Sequence, residues 1–271
     1  MVKQKVIKDE KGNEQLMIRT DKTLKLMLEE KPVGRWDVHY WHPKFDEVYK
    51  VLQQFNPKTL EQIEGEDSII SGDHVRKSRN ESKGYNLDTG IEYYETKGFL
   101  PAAYDNSSIK FCSVNAYERL KATAIKQFDI LVSCAGVGGV GKGKSCIVIH
   151  EPSKKSCTGD VFIIRLKKLN PYYVFVFLNS VYGHLQILRQ QAGTGTVNIN
   201  TEQLLNIYIP DLNIQKNFSE KYKGIAKLHT KAVNAKKQGE NEEFEKLIKL
   251  EEESFGSIIK ELESYIRESN N

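Results

Sequence analysis

From residue 214 to the end of the chain, apolar residues recur at every third or fourth position. Ile214, Phe218, Tyr222, Ile225, Leu228 and Ala232 do so over 214–237. Phe244, Leu247, Ile248, Phe255, Ile259, Leu262 and Ile266 repeat the pattern over 241–267. This period predicts two amphipathic helices. Gln238-Gly239 between them predicts a tight turn, and so an antiparallel αα-hairpin. Two helices cannot bury both stripes on each other alone. The remainder must pack on the preceding domain, on a second copy or on another protein.

From about 60 to 210 the pattern shortens. Runs rich in β-branched and aromatic residues, bounded by glycine and polar clusters, predict strands at 109–114, 128–134, 145–150, 160–166 and 205–209. One helix is expected among them, from Pro171 to about Gln191, with Val174, Phe177, Leu178, Val181, Leu185 and Leu188 on one stripe. Pro43 is placed to open another, carrying Phe45, Val48, Tyr49 and Leu52 on one face. Residues 1–35 are weakly patterned. Leu24, Leu26, Met27 and Leu28 suggest a short helix or strand that stops at Pro32-Val33-Gly34.

Composition narrows the class. The 271 residues are 39% hydrophobic and 28% charged, ordinary for a globular protein able to bury a core. The longest apolar run, Tyr172 to Leu178, is too short to span a bilayer. The first fifteen residues lack the apolar centre of a secretory signal, so a cytoplasmic location and no membrane partner are expected. Cys112, Cys134, Cys146 and Cys157 form no closely spaced pair, which predicts free buried thiols and no metal site. Net charge is +4 and the sequence pI near 8.6, compatible with nucleic acid without requiring it. Residues 212–237 carry +6 and residues 240–271 carry −6. Such opposition helps align a hairpin and disfavours parallel self-pairing, although each run also suits a solvated face.

The segment Ala135-Gly136-Val137-Gly138-Gly139-Val140-Gly141-Lys142-Gly143-Lys144-Ser145 fits two nucleotide-binding patterns. Gly138 to Ser145 is a formal P-loop. Gly136, Gly138 and Gly141 form a GxGxxG, with Asp160 roughly twenty residues on. Both patterns hold phosphate at the N-terminus of a following helix. Here a β-branched run, Cys146 to Ile149, follows and is closed by Pro152. The glycines are therefore read as a strand–strand connection, with Lys142 and Lys144 exposed.

The same stretch carries a resemblance. Phe128-Asp129-Ile130-Leu131-Val132-Ser133-Cys134-Ala135-Gly136 resembles the "GDIL-S-G-IG" element of target-recognition domains in type I restriction–modification specificity subunits. Further pieces agree in the family's order. His39-Tyr40-Trp41-His42-Pro43-Lys44-Phe45 resembles "D-YYHPKF". Ile69-Ile70-Ser71-Gly72 and Gly90-Ile91-Glu92-Tyr93-Tyr94 resemble "I-SG" and "GI-Y/F". The helix from Pro171, the turn through Gly193 to Ile199, and Leu204-Leu205-Asn206-Ile207-Tyr208-Ile209-Pro210 ("L-NI-IP-P") complete the series. The likeness covers about 36–212 and runs into the helices. It departs in having room for one recognition domain where full-length subunits carry two. Asp211 also stands where a proline is usual, and residues 1–35 have no counterpart.

The resemblance implies a reader of double-stranded DNA, which needs cations for phosphates and polar forks for base edges. The polar stretch 72–86 offers His74, Arg76, Lys77, Arg79, Asn80, Lys83 and Asn86. Without apolar periodicity it is a loop, and a solvated surface loop is the plain alternative. Arg189, Gln190, Gln191, Thr194 and Thr196 form a second set around glycines, where a helix C-cap is equally compatible. Lys142 and Lys144 form a third, for phosphates. Tyr93, Tyr94, Phe99 and Tyr104 suit base stacking if the ligand is single-stranded, and core packing otherwise.

No nucleophile stands at a recognisable spacing from His74 or His150. Asn170-Pro171-Tyr172-Tyr173 lacks the second proline of an adenine-methyltransferase tetrapeptide. No catalytic residue, metal or cofactor is therefore assigned. The expectation is an α+β chain: an N-terminal extension (1–35), a mixed-sheet target-recognition domain (36–212) and a long antiparallel helical hairpin (213–271). Implied partners are a DNA adenine methyltransferase subunit, a restriction (translocase or nuclease) subunit in the same complex, and a second copy through the C-terminal helices. A P-loop or dinucleotide enzyme using Gly136 to Ser145, and a DNA-independent helical interaction protein, are the alternatives.

Overall fold

The computed structural model describes residues 4–8, 14–18, 40, 42–71, 85–86, 88–100, 102–103, 110–119, 123–133, 135–136, 144–150, 155–157, 159–190 and 197–269. Leu24 to Leu28 and Tyr104 lie outside them. The strands in chain order are β1 (Gln4–Lys8), β2 (Glu14–Ile18), β3 (Lys58–Thr59), β4 (Ile69–Ser71), β5 (Ile91–Tyr94), β6 (Lys110–Cys112), β7 (Ile130–Ser133), β8 (Ala135–Gly136), β9 (Ser145–Ile147), β10 (Lys155–Cys157), β11 (Val161–Ile164), β12 (Val197–Asn198) and β13 (Tyr208–Ile209). The helices are α1 (Pro43–Gln53), α2 (Leu60–Glu64), α3 (Val114–Arg119), α4 (Pro171–Asn179), α5 (Val181–Gln190), α6 (Thr201–Leu205), α7 (Gln215–Lys237) and α8 (Asn241–Glu268). The fold is α+β with long C-terminal helices, as expected.

Its centre is a four-stranded antiparallel sheet in the order β4-β11-β7-β9. Alternation along these strands separates two cores, because successive side chains point to opposite faces. Ile130, Val132, Ile147, Phe162 and Ile164 face the helices. Leu131, Cys146, Val161 and Ile163 pack with Tyr94 and Ile125 on the other side. Beyond that second core lies the sheet β10-β5-β6, whose β10–β5 pair is parallel. Tyr93 and Tyr94 are buried there, which is the core reading of these tyrosines. Cys112 and Cys146 are free buried thiols, and burial pushes the Cys146 thiol well up.

Polar groups pin the Ile130–Ile147 end of the central sheet. Arg165 donates from Nε and Nη2 to the two oxygens of buried Asp129, at 2.9 and 2.7 Å, and from Nη2 to the Ala124 carbonyl. Nearby, the buried Glu64 carboxylate accepts from three consecutive backbone N–H groups, those of Lys167, Lys168 and Leu169. Phe128 holds φ at 68°, in the left-handed region, at the position where the resembled motif opens on glycine.

The expected single helix 171–191 is two. Asn170 caps α4 through Tyr172 and Tyr173, with Pro171 in its first turn. Ser180 then takes an extended backbone, and its hydroxyl donates to the Phe177 carbonyl at 2.7 Å. The chain re-enters helix so tightly that a Cβ on Gly183 would lie 2.2 Å from the Phe177 carbonyl oxygen. The expected strand 205–209 also shortens. A capping box between Asn200 and Gln203 starts α6, leaving only Tyr208–Ile209 extended.

The hairpin forms as predicted, turning at Gly239 with φ 81°. The domain itself covers much of it. Phe255 stacks on Phe175 with centroids 5.2 Å apart, and Tyr222 meets both edge-on. The main core therefore runs without a break from the sheet into both helices.

Candidate nucleic-acid interface

Sheet register decides which loops share an end. Ser71 pairs with Phe162, Phe162 with Val132, and Val132 with Ser145. The chain leaves β4 after Ser71 and passes Ser133 in the same direction. It returns at Lys144, whose carbonyl accepts from Ser133 N at 2.9 Å. One step further, Ala135 and Gly136 pair with Asn198 and Val197. Segments 72–84 and 137–143 therefore adjoin this end of the sheet through Ser71 and Lys144, whereas 191–196 adjoins the separate β8–β12 pair through Val197. They hold His74, Arg76, Lys77, Arg79, Asn80, Lys83, Lys142, Gln191, Thr194 and Thr196, which lie outside the described residues.

Four predicted contacts are described. Lys144 is exposed at the sheet end. Asn86 is exposed, but its Oδ1 accepts from Asp88 N, Thr89 N and Thr89 Oγ1 at 3.0 to 3.2 Å, closing the turn before β5. Arg189 and Gln190 are placed otherwise than expected: both are buried. The Arg189 guanidinium lies over the rings of Tyr40 (4.5 Å) and Tyr49 (5.0 Å), 3.4 Å from the Asp46 carboxylate. The sequence places it in a DNA-contact set because it precedes a glycine-rich stretch. It is instead a buried anchor in the last turn of α5.

The box around Arg189 was missed, although its signal was present. His42 caps α1 by accepting from Lys44 N at 3.2 Å, Pro43 opens the helix and Phe45 is buried. The aromatic segment 39–45 thereby sets Tyr40, Asp46 and Tyr49 around one guanidinium. Burial raises the Tyr49 hydroxyl against the lowering pull of Arg189. Tyr49 also meets Tyr208 edge-on at 5.4 Å. Gln186, likewise unforeseen, bonds both the N–H and the C=O of Tyr208 through its side-chain amide, standing in for a strand beside β13.

The glycine segment is followed by β9, a strand antiparallel to β7, so the helix N-terminus that either nucleotide motif needs is replaced by a strand. Among the described residues, no group of three His, Cys, Asp or Glu side chains is disposed to hold a metal ion. Among them, too, no helix is long and apolar enough to cross a membrane.

The hairpin marks the opposite end. Asn179 Nδ2 donates to Ser145 Oγ at 2.9 Å, and Val181 N donates to Glu263 at 2.5 Å, so the C-terminal part of α8 reaches the loop end. Toward its N-terminus α8 passes Phe255 on Phe175. It then passes Glu251, whose carboxylate sits 3.1 Å from His229 Nδ1, with His229 stacked on His150 beyond β9. Among the described residues none from 236 to 250 is buried.

No protein-family model matches the chain, and no curated protein matches it. Solved structures similar to it include two of the type I restriction–modification kind. One is the S subunit of the type I restriction–modification system from M. genitalium, with TM-score 0.41 and 12% identity over 67% of this chain and 40% of that one. The other comes from work on complex assembly and conformational transition of the type I restriction–modification system. It aligns with TM-score 0.42 and 15% identity over 80% of this chain and 52% of its own. The chain thus spans about half the length of the structures it matches, or less.

Proposed function

We propose that the chain is a DNA sequence-recognition subunit of the type I restriction–modification kind. In this reading it binds a half-site in double-stranded DNA and directs a partner adenine methyltransferase to it, with catalysis in the partner subunits. The observation that carries this is convergence. Three polar segments far apart in sequence, two of them holding lysine or arginine, adjoin one end of the four-stranded sheet or the β8–β12 pair that follows β7, and β8 and β12 bring the ends of two of them together. Arg76 and Arg79 are the candidates for guanine, Asn80 and Gln191 for adenine, and Lys77, Lys83, Lys142 and Lys144 for phosphates.

Residues 236–250 supply the docking region for the methyltransferase or for a second copy. A two-fold pair would read a symmetric bipartite site. Selection from random duplexes, with and without the methyltransferase subunit, tests the reading at two salt concentrations. An enriched gapped motif is expected. If none emerges even with the partner present, the proposal fails.

A further inference from the structure

The outward face of α7 carries Lys216, Lys223, Lys227 and Lys231, all exposed. At 1.5 Å rise per residue they form one stripe about 22 Å long, with about 6 Å between the last three. The stripe lies opposite the buried side of the helix, which bears Phe218, Tyr222, Ile225 and His229. Lys221, off the stripe, is paired with Glu261.

The stripe holds one carboxylate. Glu220 accepts a hydrogen bond from Lys223 at 2.7 Å. That bond, aided by the charges of Lys223, Lys216 and Lys227, holds its carboxyl below the ordinary value against the opposing effect of desolvation. Lys223 and Lys227, and again Lys227 and Lys231, are like-charge neighbours four apart, an arrangement that weakens an isolated helix. The outer face of α8 is different, mixing Glu245, Lys249, Glu252 and Lys260 as an ordinary solvated face does.

The chemistry of the stripe selects its partner. The positions beside the lysines are Asn217, Gly224 and Asn234, and Gly224 opens onto empty space. Protein interfaces concentrate aromatic residues, Met and Arg at their centres and are depleted in Lys. A row of point charges without such an anchor suits a polymer recognised by charge alone.

We infer that this stripe is a second, sequence-independent contact surface, for the phosphate backbone of duplex DNA. The identity of the polymer rests on the reading above. The test uses the full chain with Lys223, Lys227 and Lys231 all changed to Gln, and measures affinity for a random-sequence duplex across a salt series. Each phosphate contact contributes about 0.9 to the slope of log affinity against log salt, so the slope should fall by roughly 2 to 3. The corresponding three-Arg variant should keep the wild-type slope. A control losing one charge on the other helix outside 236–250, Lys260→Gln, should leave the slope unchanged.

An unchanged slope in the three-Gln variant overturns the inference, and so does an equal fall per charge in the control. A change of oligomeric state at constant slope also overturns it, and would assign the stripe to the acidic helix of a second copy. Motif selection is read separately. A motif enriched by wild type with no slope effect in the variant sinks only the stripe, whereas a slope effect without any motif leaves the stripe and sinks the recognition reading.

Discussion

The guanidinium of Arg189 lies 4.5 Å from the ring centroid of Tyr40, near the C-terminal end of α5. A buried cation over two tyrosines, beside a carboxylate, gains from its planar shape as well as from its charge. Arg189→Lys keeps the charge but loses the stacked plane, and should lower unfolding stability by about 1–2 kcal/mol, on the scale of a desolvated cation–π contact. Since Arg189 is buried away from solvent, the same variant, assayed well below its melting temperature, should retain the salt dependence of DNA binding. A slope reduced by one contact at unchanged stability would show that the side chain reaches phosphate.

Phe128 provides a test of backbone strain. Its φ of 68° disfavours any side chain, while its ring meets Tyr172 edge-on at 5.5 Å. Replacement by alanine removes the ring and keeps the strain; replacement by glycine removes both. Glycine is ordinarily the less stable of the two by about 0.4–1 kcal/mol through unfolded-chain entropy. Here the order should invert, with Phe128→Gly the more stable by about 1 kcal/mol, given a left-handed penalty of roughly 1–2 kcal/mol. Urea midpoints of the two variants decide it, and a midpoint for alanine at or above that for glycine sinks the strain argument.

Gly183 tests the broken helix. In an exposed helix, glycine to alanine raises stability by up to about 1 kcal/mol. In this position the new Cβ would meet backbone, 2.2 Å from Phe177 O and 2.6 Å from Leu178 Cα. Gly183→Ala should therefore destabilise by about 1–3 kcal/mol, the usual range for overpacking. Thermal unfolding of the variant reads this directly, and a gain in melting temperature would mean that α4 and α5 do not turn as tightly as described.

His184 sets a pH dependence. Burial lowers its pKa below 6.5 because the charged ring is disfavoured in the fold. The unfolded chain then binds more protons than the native one between the folded pKa and about 6.5. The contribution of His184 to stability is therefore complete above pH 6.5 and is lost as pH falls through that window. His184→Gln should flatten the stability profile on the acid side of 6.5. A profile that keeps its full acid slope in the variant would assign the effect to another group.

Much of this architecture could be read from residue order, and the failures have specific causes. The hairpin helices lie within one residue of expectation, because 3.6-residue periodicity over more than twenty positions leaves little ambiguity. The central strands were foreseen at their cores, Ile130–Ser133 and Val161–Ile164, because β-branched runs between turn signals read clearly. The break at Ser180 was not foreseen. Val181 falls on the apolar stripe of a continuous helix but is 44% exposed once the chain turns. Arg189 misled for a related reason: residue type and a neighbouring glycine loop carry no information about burial.

Alone, the sequence determined the local periodicities, the strand after the glycine segment and hence the absence of a helix there to hold a nucleotide phosphate, and the order of motifs that suggests DNA reading. These depend on neighbours within a few residues, where backbone geometry restricts the choices. The tertiary structure alone decided that Ser71, Ser133 and Lys144 share one end of a sheet, that Arg189 faces inward between two tyrosines, and that the lysines of α7 form the outward stripe. Those facts depend on register and packing between segments tens of residues apart, and strand pairing is set by which faces are buried together.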